Sequence, residues 1–296
     1  MDALTAILRQ LRLRADVFLH ADFCGTWAVD TSGKRKATFH IVTRGRCWVH
    51  FGNGTPVLAL ESGDFLLLPH DPPHRISPRP TPPDAAVPLN RPATTLDADD
   101  ATGLVCGYLE FGSHAWNPVI EALPAVIVLR HGERAHDPAV DTLLTMLMRE
   151  ARAGHPGVDA LLDRLGEALF ILAIRAVMNE HPRTNFLAAL ADRQLSRALH
   201  ALHADPAAPW TLAALARTAG MSRAVFARRF LRATGVTPLT YLTRWRIQLA
   251  RDWLKESGLS MLEIAARAGY SSEAAFSRAF KRETGAPPGA CRVPAP

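Results

Sequence analysis

No stretch of this 296-residue chain reaches the roughly 18 consecutive apolar residues that a membrane-spanning helix needs, so no membrane partner is expected. Cysteine is scarce: Cys24, Cys47, Cys106 and Cys291 are scattered without a CxxC pair. That excludes a disulfide framework and fits a reducing cytoplasm. The opening segment, MDALTAILRQLRLRADVF, lacks the continuous apolar core and small-residue cleavage site of a secretory signal, and predicts an amphipathic helix. Acidic residues thin out late in the chain. Residues 191–292 hold 16 Lys or Arg against 7 Asp or Glu, a balance of +9 in a chain whose total is +6. The basic third is therefore the candidate for a polyanion partner. What is present, 48% apolar residues over a length sufficient for two cores, describes a globular two-domain protein.

The first half is written in short strands. TWAVD, KATFHIV, RCWVHF, PVLAL, DFLLLP, LVCGYLEF and PAVIVLR are rich in β-branched, aromatic and aliphatic residues and are separated by signals such as GNGTP and ESGD. Strands at that spacing suggest a barrel or sandwich over residues 1–136. Residues 77–102 carry six prolines without apolar periodicity and read as a long loop. The period then changes. Residues 138–153 and 158–180 predict helices broken at GHPG, and the second bears an apolar stripe at Leu161, Leu162, Leu165, Leu169, Leu172 and Val177. Such a stripe suits either a domain-closing helix or a dimer interface, so residues 137–182 are the expected dimerisation segment of a homodimer. A linker at 183–190 leads into an all-helical region, 191–296.

That last region repeats itself. AGMSRAVFARRFLRATGVTP, from Ala219, returns as AGYSSEAAFSRAFKRETGAPP from Ala268, with Phe230 over Phe280 and Thr234-Gly235 over Thr284-Gly285 at a spacing of 50. Gly220 falls over Gly269 at 49, so the second turn is one residue longer. Each unit has helix-turn-helix mechanics: a small inward residue (Ala216 or Ala265), a glycine for the left-handed turn and a serine cap, Ser222 or Ser272. On a helical wheel Phe226 and Phe230, or Phe276 and Phe280, face the core. Ala224, Ala227, Arg228 and Leu231 fall opposite in the first unit; Ala274, Ser277, Arg278 and Lys281 do so in the second. A recognition helix in the major groove uses Arg for guanine edges and small residues for close approach. Arg228 and Arg278 are the leading base-reading candidates, and the helix between the units, buried through Leu242, Trp245, Leu249 and Leu254, is the expected rigid connector.

With its LAALARTAGMSRAVFARRF and IAARAGYSSEAAFSRAFKRETGAPP motifs, the segment resembles the DNA-binding domain of AraC/XylS-family transcription regulators. The resemblance implies base contacts from Arg223, Ala224, Ala227 and Arg228, then from Glu273, Ala274, Ser277 and Arg278, with Lys281 continuing the outer face. It implies double-stranded promoter DNA and RNA polymerase as partners. The strand-rich half is similar to the cupin-type sensor domain of this family, which makes the fold α+β: a cupin-like barrel with flanking helices before an all-α double helix-turn-helix.

The best cupin motif is GDFLLLPHDPPH, residues 63–74, with Asp71 where a glycine is usual. His40 stands near the first motif's histidine pair, but its companion and the motif's glutamate are missing, so the ordinary three-His, one-Glu metal site is not encoded. Cys24 and Cys106 could instead converge with His40 and His74 at the barrel mouth, a set suited to Zn or Cu or to a thiol oxidation switch. The stretches MDAL, LLPHDPPHR, VCG and PGVDALL resemble oxidant-responsive members, including those sensing reactive chlorine species. A small organic effector between Trp27, Trp48 and Phe39 is the alternative. An enzymatic reading is disfavoured by the incomplete metal set and by the lack of a PCHR-like nucleophile motif.

Overall fold

The computed structural model describes residues 2–52, 54–87, 89–92, 101–112, 116–132, 137–180, 185–256 and 258–292. Parts of the expected proline-rich loop (93–100) and of the linker (183–184) lie outside them. The opening segment is a helix only as far as α1, Ala3–Leu11, capped by Asp2 accepting the Thr5 N–H at 2.8 Å. Arg12 turns left-handed, and Leu13–Phe23 is strand β1. The strand announces itself by period-2 burial, with Ala15 and Val17 inward and Arg14, Asp16 and Phe18 outward. Conversely TWAVD is not a strand; Ala28 and Val29 make only isolated bridges.

The remaining strands are β2 (Ala37–Arg44), β3 (Arg46–Phe51), β4 (Leu58–Glu61), β5 (Phe65–Leu68), β6 (His74–Ser77), β7 (Thr102–Phe111) and β8 (Ile127–Leu129). They form a five-stranded sheet ordered β1-β7-β2-β5-β8 and a three-stranded sheet ordered β4-β3-β6. One core cluster draws Val42, Leu66, Leu68, Leu104 and Cys106 from the larger sheet and Cys47, Val49, Leu60 and Ile76 from the smaller. Helix α2 is Pro118–Ala122; α3, Pro138–Ala153, and α4, Val158–Glu180, match the sequence periodicity. In α4 Leu162, Leu165, Leu169, Leu172 and Val177 are buried. Phe39 lies against Gly166 of α4, and Asp163 accepts the Val17 N–H of edge strand β1 at 2.8 Å. The stripe is thus largely buried within the chain itself, with Leu161 only partly covered.

The helical part contains α5 (Phe186–Ala191), α6 (Leu195–Ala204), α7 (Leu212–Thr218), α8 (Arg223–Thr234), α9 (Pro238–Glu256), α10 (Met261–Arg267) and α11 (Glu273–Thr284). Leu13–Glu110 and Leu123–His181 make one compact unit; Met1–Arg12, Phe111–Ala122 and Pro182–Pro296 make the other. The division cuts across the sequence-based boundaries, because α1 and the segment after β7 pack among the C-terminal helices. Gln10 donates to the His203 carbonyl at 2.7 Å and accepts from the Trp245 indole at 3.0 Å, while Trp116 meets Tyr241 edge-on at 5.2 Å.

Candidate sensor site and nucleic-acid interface

In the sheet register His40 of β2 stands directly opposite Cys106 of β7. Facing residues in a ladder bring their Cβ atoms within about 5 Å, and the side chains meet, His40 Nδ1 to Cys106 Sγ, at 3.1 Å. The other ring nitrogen, Nε2, lies 3.0 Å from His74 Nε2. His74 opens β6 after the Asp71-Pro72-Pro73 turn, and its Nδ1 is 2.8 Å from the Pro72 carbonyl. Asp71 adopts φ 50° and accepts the N–H groups of Gly33 and Arg35 at 3.2 and 2.6 Å. An aspartate in place of the usual glycine therefore ties this turn to the preceding loop, which brings in Thr31. Its hydroxyl is 3.1 Å from His74 Nε2 and 3.4 Å from His40 Nε2. Nothing in the sequence signals Thr31, since its role depends on that loop fold.

The proton positions follow from one fixed acceptor. A carbonyl only accepts, so His74 carries its proton on Nδ1 and presents a bare Nε2. Two bare nitrogens 3.0 Å apart would repel, and the single Thr31 hydroxyl can serve only one of them. His40 is therefore protonated on Nε2, its Nδ1 is bare, and the Cys106 thiol donates to it. The result is a directional chain from thiol to imidazole to imidazole to carbonyl inside an apolar core. His40 and Cys106 have no exposed surface. Burial, then the neighbouring His74, holds His40 well below the usual imidazole range. Burial also lowers His74, partly offset by the Pro72 hydrogen bond and by Asp30 and Asp71. Burial, followed by the proximity of Cys47, pushes the Cys106 thiol up. The resting chain is neutral throughout.

This geometry corrects two expectations. The four proposed metal ligands do not converge: His74 lies at one nitrogen of His40 and Cys106 at the other, on diverging sides of the ring, and Cys24 is half-exposed and outside the core cluster. Among the described residues no three His, Cys, Asp or Glu form a group that could hold a metal ion. Cys106 shares its core cluster with Cys47, whose thiol burial pushes up to about 12. The walls proposed for an organic effector also separate. Trp27 is in the core cluster, Phe39 lies against α4, and Trp48 falls between the inward Cys47 and Val49 on the opposite face of β3.

In the helical unit the duplication is a duplication of structure. Gly220 and Gly269 take φ 66° and 76°, Ser222 and Ser272 cap α8 and α11, and Gly235 and Gly285 end those helices in the left-handed conformation. Phe226, Phe230, Phe276 and Phe280 are wholly buried. Arg223 and Glu273, at the helix starts, and Ala224, Arg228, Ala274, Arg278 and Lys281, on the far side from the phenylalanines, are exposed, while Ala227 and Ser277 are half-buried. Among the described residues no hydrogen bond or ion pair engages the side chains of Arg223, Arg228, Arg278 or Lys281.

Other arginines are already employed. Arg229 pairs with Asp192 and donates to Gln194 Oε1 at 3.0 Å, fastening α8 to the start of α6. Arg246 of α9 donates to the carbonyls of Pro206 and Ala208 at 2.6 and 2.8 Å and lies over the Tyr270 ring, binding the α6–α7 loop to the second turn. Leu242, Trp245, Leu249 and Leu254 of α9 are buried as the sequence predicts.

Two exposed basic helices held in helix-turn-helix frames, in a chain whose other unit is a two-sheet domain, define a DNA-binding regulator with a cupin-type front domain. The cupin family model matches residues 2–179, and a helix-turn-helix domain model matches residues 215–293. An AraC-like transcription regulator of Streptomyces lividans is 34% identical over 297 residues, covering 98% of this chain and 97% of that one. The HTH-type transcriptional regulator AlkR of Acinetobacter baylyi is 32% identical, covering 96% of each chain. The RCS-specific HTH-type transcriptional activator RclR of Escherichia coli is 31% identical, covering 86% of this chain and 83% of its own. The chain belongs to the AraC-type transcription regulators that carry an N-terminal cupin domain.

Proposed function

We propose that the cupin domain senses a small oxidant at Cys106 and that the outcome changes DNA binding by the helical unit. The supporting observation is the thiol hydrogen-bonded to His40 at 3.1 Å with no exposed surface. A neutral thiol is a poor nucleophile, so burial keeps the site silent at rest, and His40 is placed to take the proton once the sulfur reacts. An uncharged oxidant such as hypochlorous acid crosses the apolar shell at lower cost than an anion. The two-electron oxidation R–SH + HOCl → R–SOH + H+ + Cl− breaks the O–Cl bond, releases chloride and a proton, and leaves an added oxygen on a sulfur in a filled core; this overpacks it, at about 1 to 3 kcal/mol, and presses on the β2–β7 ladder. The chain that follows β7 in sequence belongs to the helical unit, where Trp116 packs on Tyr241 of α9, so the sensor strand and the helix between the two reading units are linked along the chain. The relative named RCS-specific supports the oxidant class.

On this reading Arg223, Ala224, Ala227, Arg228, Glu273, Ala274, Ser277, Arg278 and Lys281 face the DNA. Family membership supports RNA polymerase and a second copy of the chain as protein partners. The test is affinity of the full chain for a duplex from its own upstream region, with and without hypochlorous acid, for the wild type and Cys106→Ala. An oxidant-dependent change confined to the wild type supports the proposal. The same change in both proteins refutes it.

A further inference from the structure

We propose that Leu231 is a specificity-determining residue of the first reading helix, packing against the C5-methyl group of a thymine in the major groove. Leu231 is 46% exposed on a helix whose other exposed positions are small or charged. It closes the stripe Ala224, Ala227, Arg228, Leu231, spaced i, i+3, i+4, i+7, which lies opposite the buried Phe226 and Phe230. The fold does not require an apolar side chain there, because the equivalent position of the second unit is the exposed Lys281, and both residues lend only their backbone carbonyls to the following glycine, at 2.8 Å.

Two alanines on the stripe allow the helix backbone to approach the base edges. In the major groove the one apolar group a base pair offers is the thymine methyl. The stripe spans about 10 Å, close to three base pairs, so a thymine read by Leu231 would lie within about three base pairs of the base read by Arg228. With Lys281 at the matching place, the second unit takes an acceptor edge or a phosphate instead, and the two half-sites differ in sequence. The inference rests on the reading of α8 as a DNA-facing helix.

The experiment uses the full chain and a duplex selected from a random library, with each thymine in turn replaced by uracil, which removes only the methyl group. One position should weaken wild-type binding by about fourfold, the value of a buried methyl-sized group. Leu231→Ala, with the wild-type melting temperature, should bind the thymine duplex about as weakly and show no thymine-uracil difference at that position. Leu231→Lys should likewise lose the difference. The proposal is overturned if no uracil substitution matters, or if Leu231→Ala keeps the full difference. Arg228→Ala, measured on the same duplexes, separates the causes: lost discrimination at another base leaves α8 a reading helix and puts the failure on Leu231, and unchanged discrimination overturns the reading of α8 itself.

Discussion

Arg228 and Arg229 are neighbours in sequence, and their replacement by alanine should give opposite results. Arg228 is exposed and, among the described residues, without a hydrogen bond or ion pair, so Arg228→Ala should leave stability within about 0.5 kcal/mol of the wild type. Its loss should appear in binding, at about 1 to 3 kcal/mol on the cognate duplex and much less on random DNA, with one base preference relaxed. Arg229 pairs with Asp192, and Asp192 also accepts the N–H groups of Gln194 and Leu195 at the start of α6. The pair is partly exposed, with 37% and 28% of the side chains accessible, so screening reduces its worth and the hydrogen bond to Gln194 adds to it. Together they should contribute about 1 to 2 kcal/mol, a fall of roughly 3 to 7 °C in the melting temperature of a unit of this size. Circular dichroism melting and fluorescence anisotropy at one fixed salt concentration read the two effects. The reasoning is refuted if Arg228→Ala melts as early as Arg229→Ala, or if it weakens cognate and random DNA by the same factor, which would make Arg228 a phosphate contact.

Three further outcomes follow from the packing. His203 is buried between Tyr241 and Trp245, and burial lowers it to about 3. Between pH 6.5 and 3 the unfolded chain binds a proton that the folded one refuses, so stability falls by about 1.4 kcal/mol per unit as pH drops below 6.5. Urea unfolding at pH 7.5, 6.5 and 5.5 should show a shallower pH dependence in His203→Phe. Gly220 and Gly269 share the left-handed conformation, but a Cβ at Gly220 meets open space and one at Gly269 meets the Ala207 carbonyl and Arg246 at 2.7 Å. Gly220→Ala should therefore cost about 1 to 2 kcal/mol and Gly269→Ala clearly more in the same melting assay; equal costs would contradict the packing of the second turn. Gln10→Ala strands the buried Trp245 indole N–H and should destabilise the helical unit by about 1 to 3 kcal/mol, a loss absent if α1 belonged with the sheets.

The double helix-turn-helix was legible because its signals are local. Phe spacing, the turn glycines and the serine caps each act within one turn of their own helix, and the 50-residue repeat states them twice. The outward placement of Arg228 was legible for the same reason, since a wheel separates it from the buried Phe226 and Phe230. That Arg229 and Arg246 serve as clamps was not, because their partners lie 37 and about 40 residues away. Strand β1 was hidden by the helix before it: QLRLR continues an amphipathic pattern until Arg12 turns left-handed, and only the later alternation reveals period two. At the sensor, the motif gave His74, and His40 was found near its place, but the pairing of Cys106 with His40 is a fact of strand register. Thr31 and the nearness of Cys47 arise from a loop fold and from two sheets facing each other, and neither leaves a pattern along the chain.

The central claim is that chemistry at Cys106 governs DNA binding, and the most direct measurement follows both in one sample. The purified full chain is titrated with hypochlorous acid, each of the four thiols is quantified by mass spectrometry after alkylation under denaturing conditions, and duplex affinity is recorded at every step. The account predicts that loss of the free Cys106 thiol and the change in affinity occur at the same oxidant equivalent. It is contradicted if affinity changes while Cys106 remains a free thiol and Cys24 or Cys291 is consumed instead.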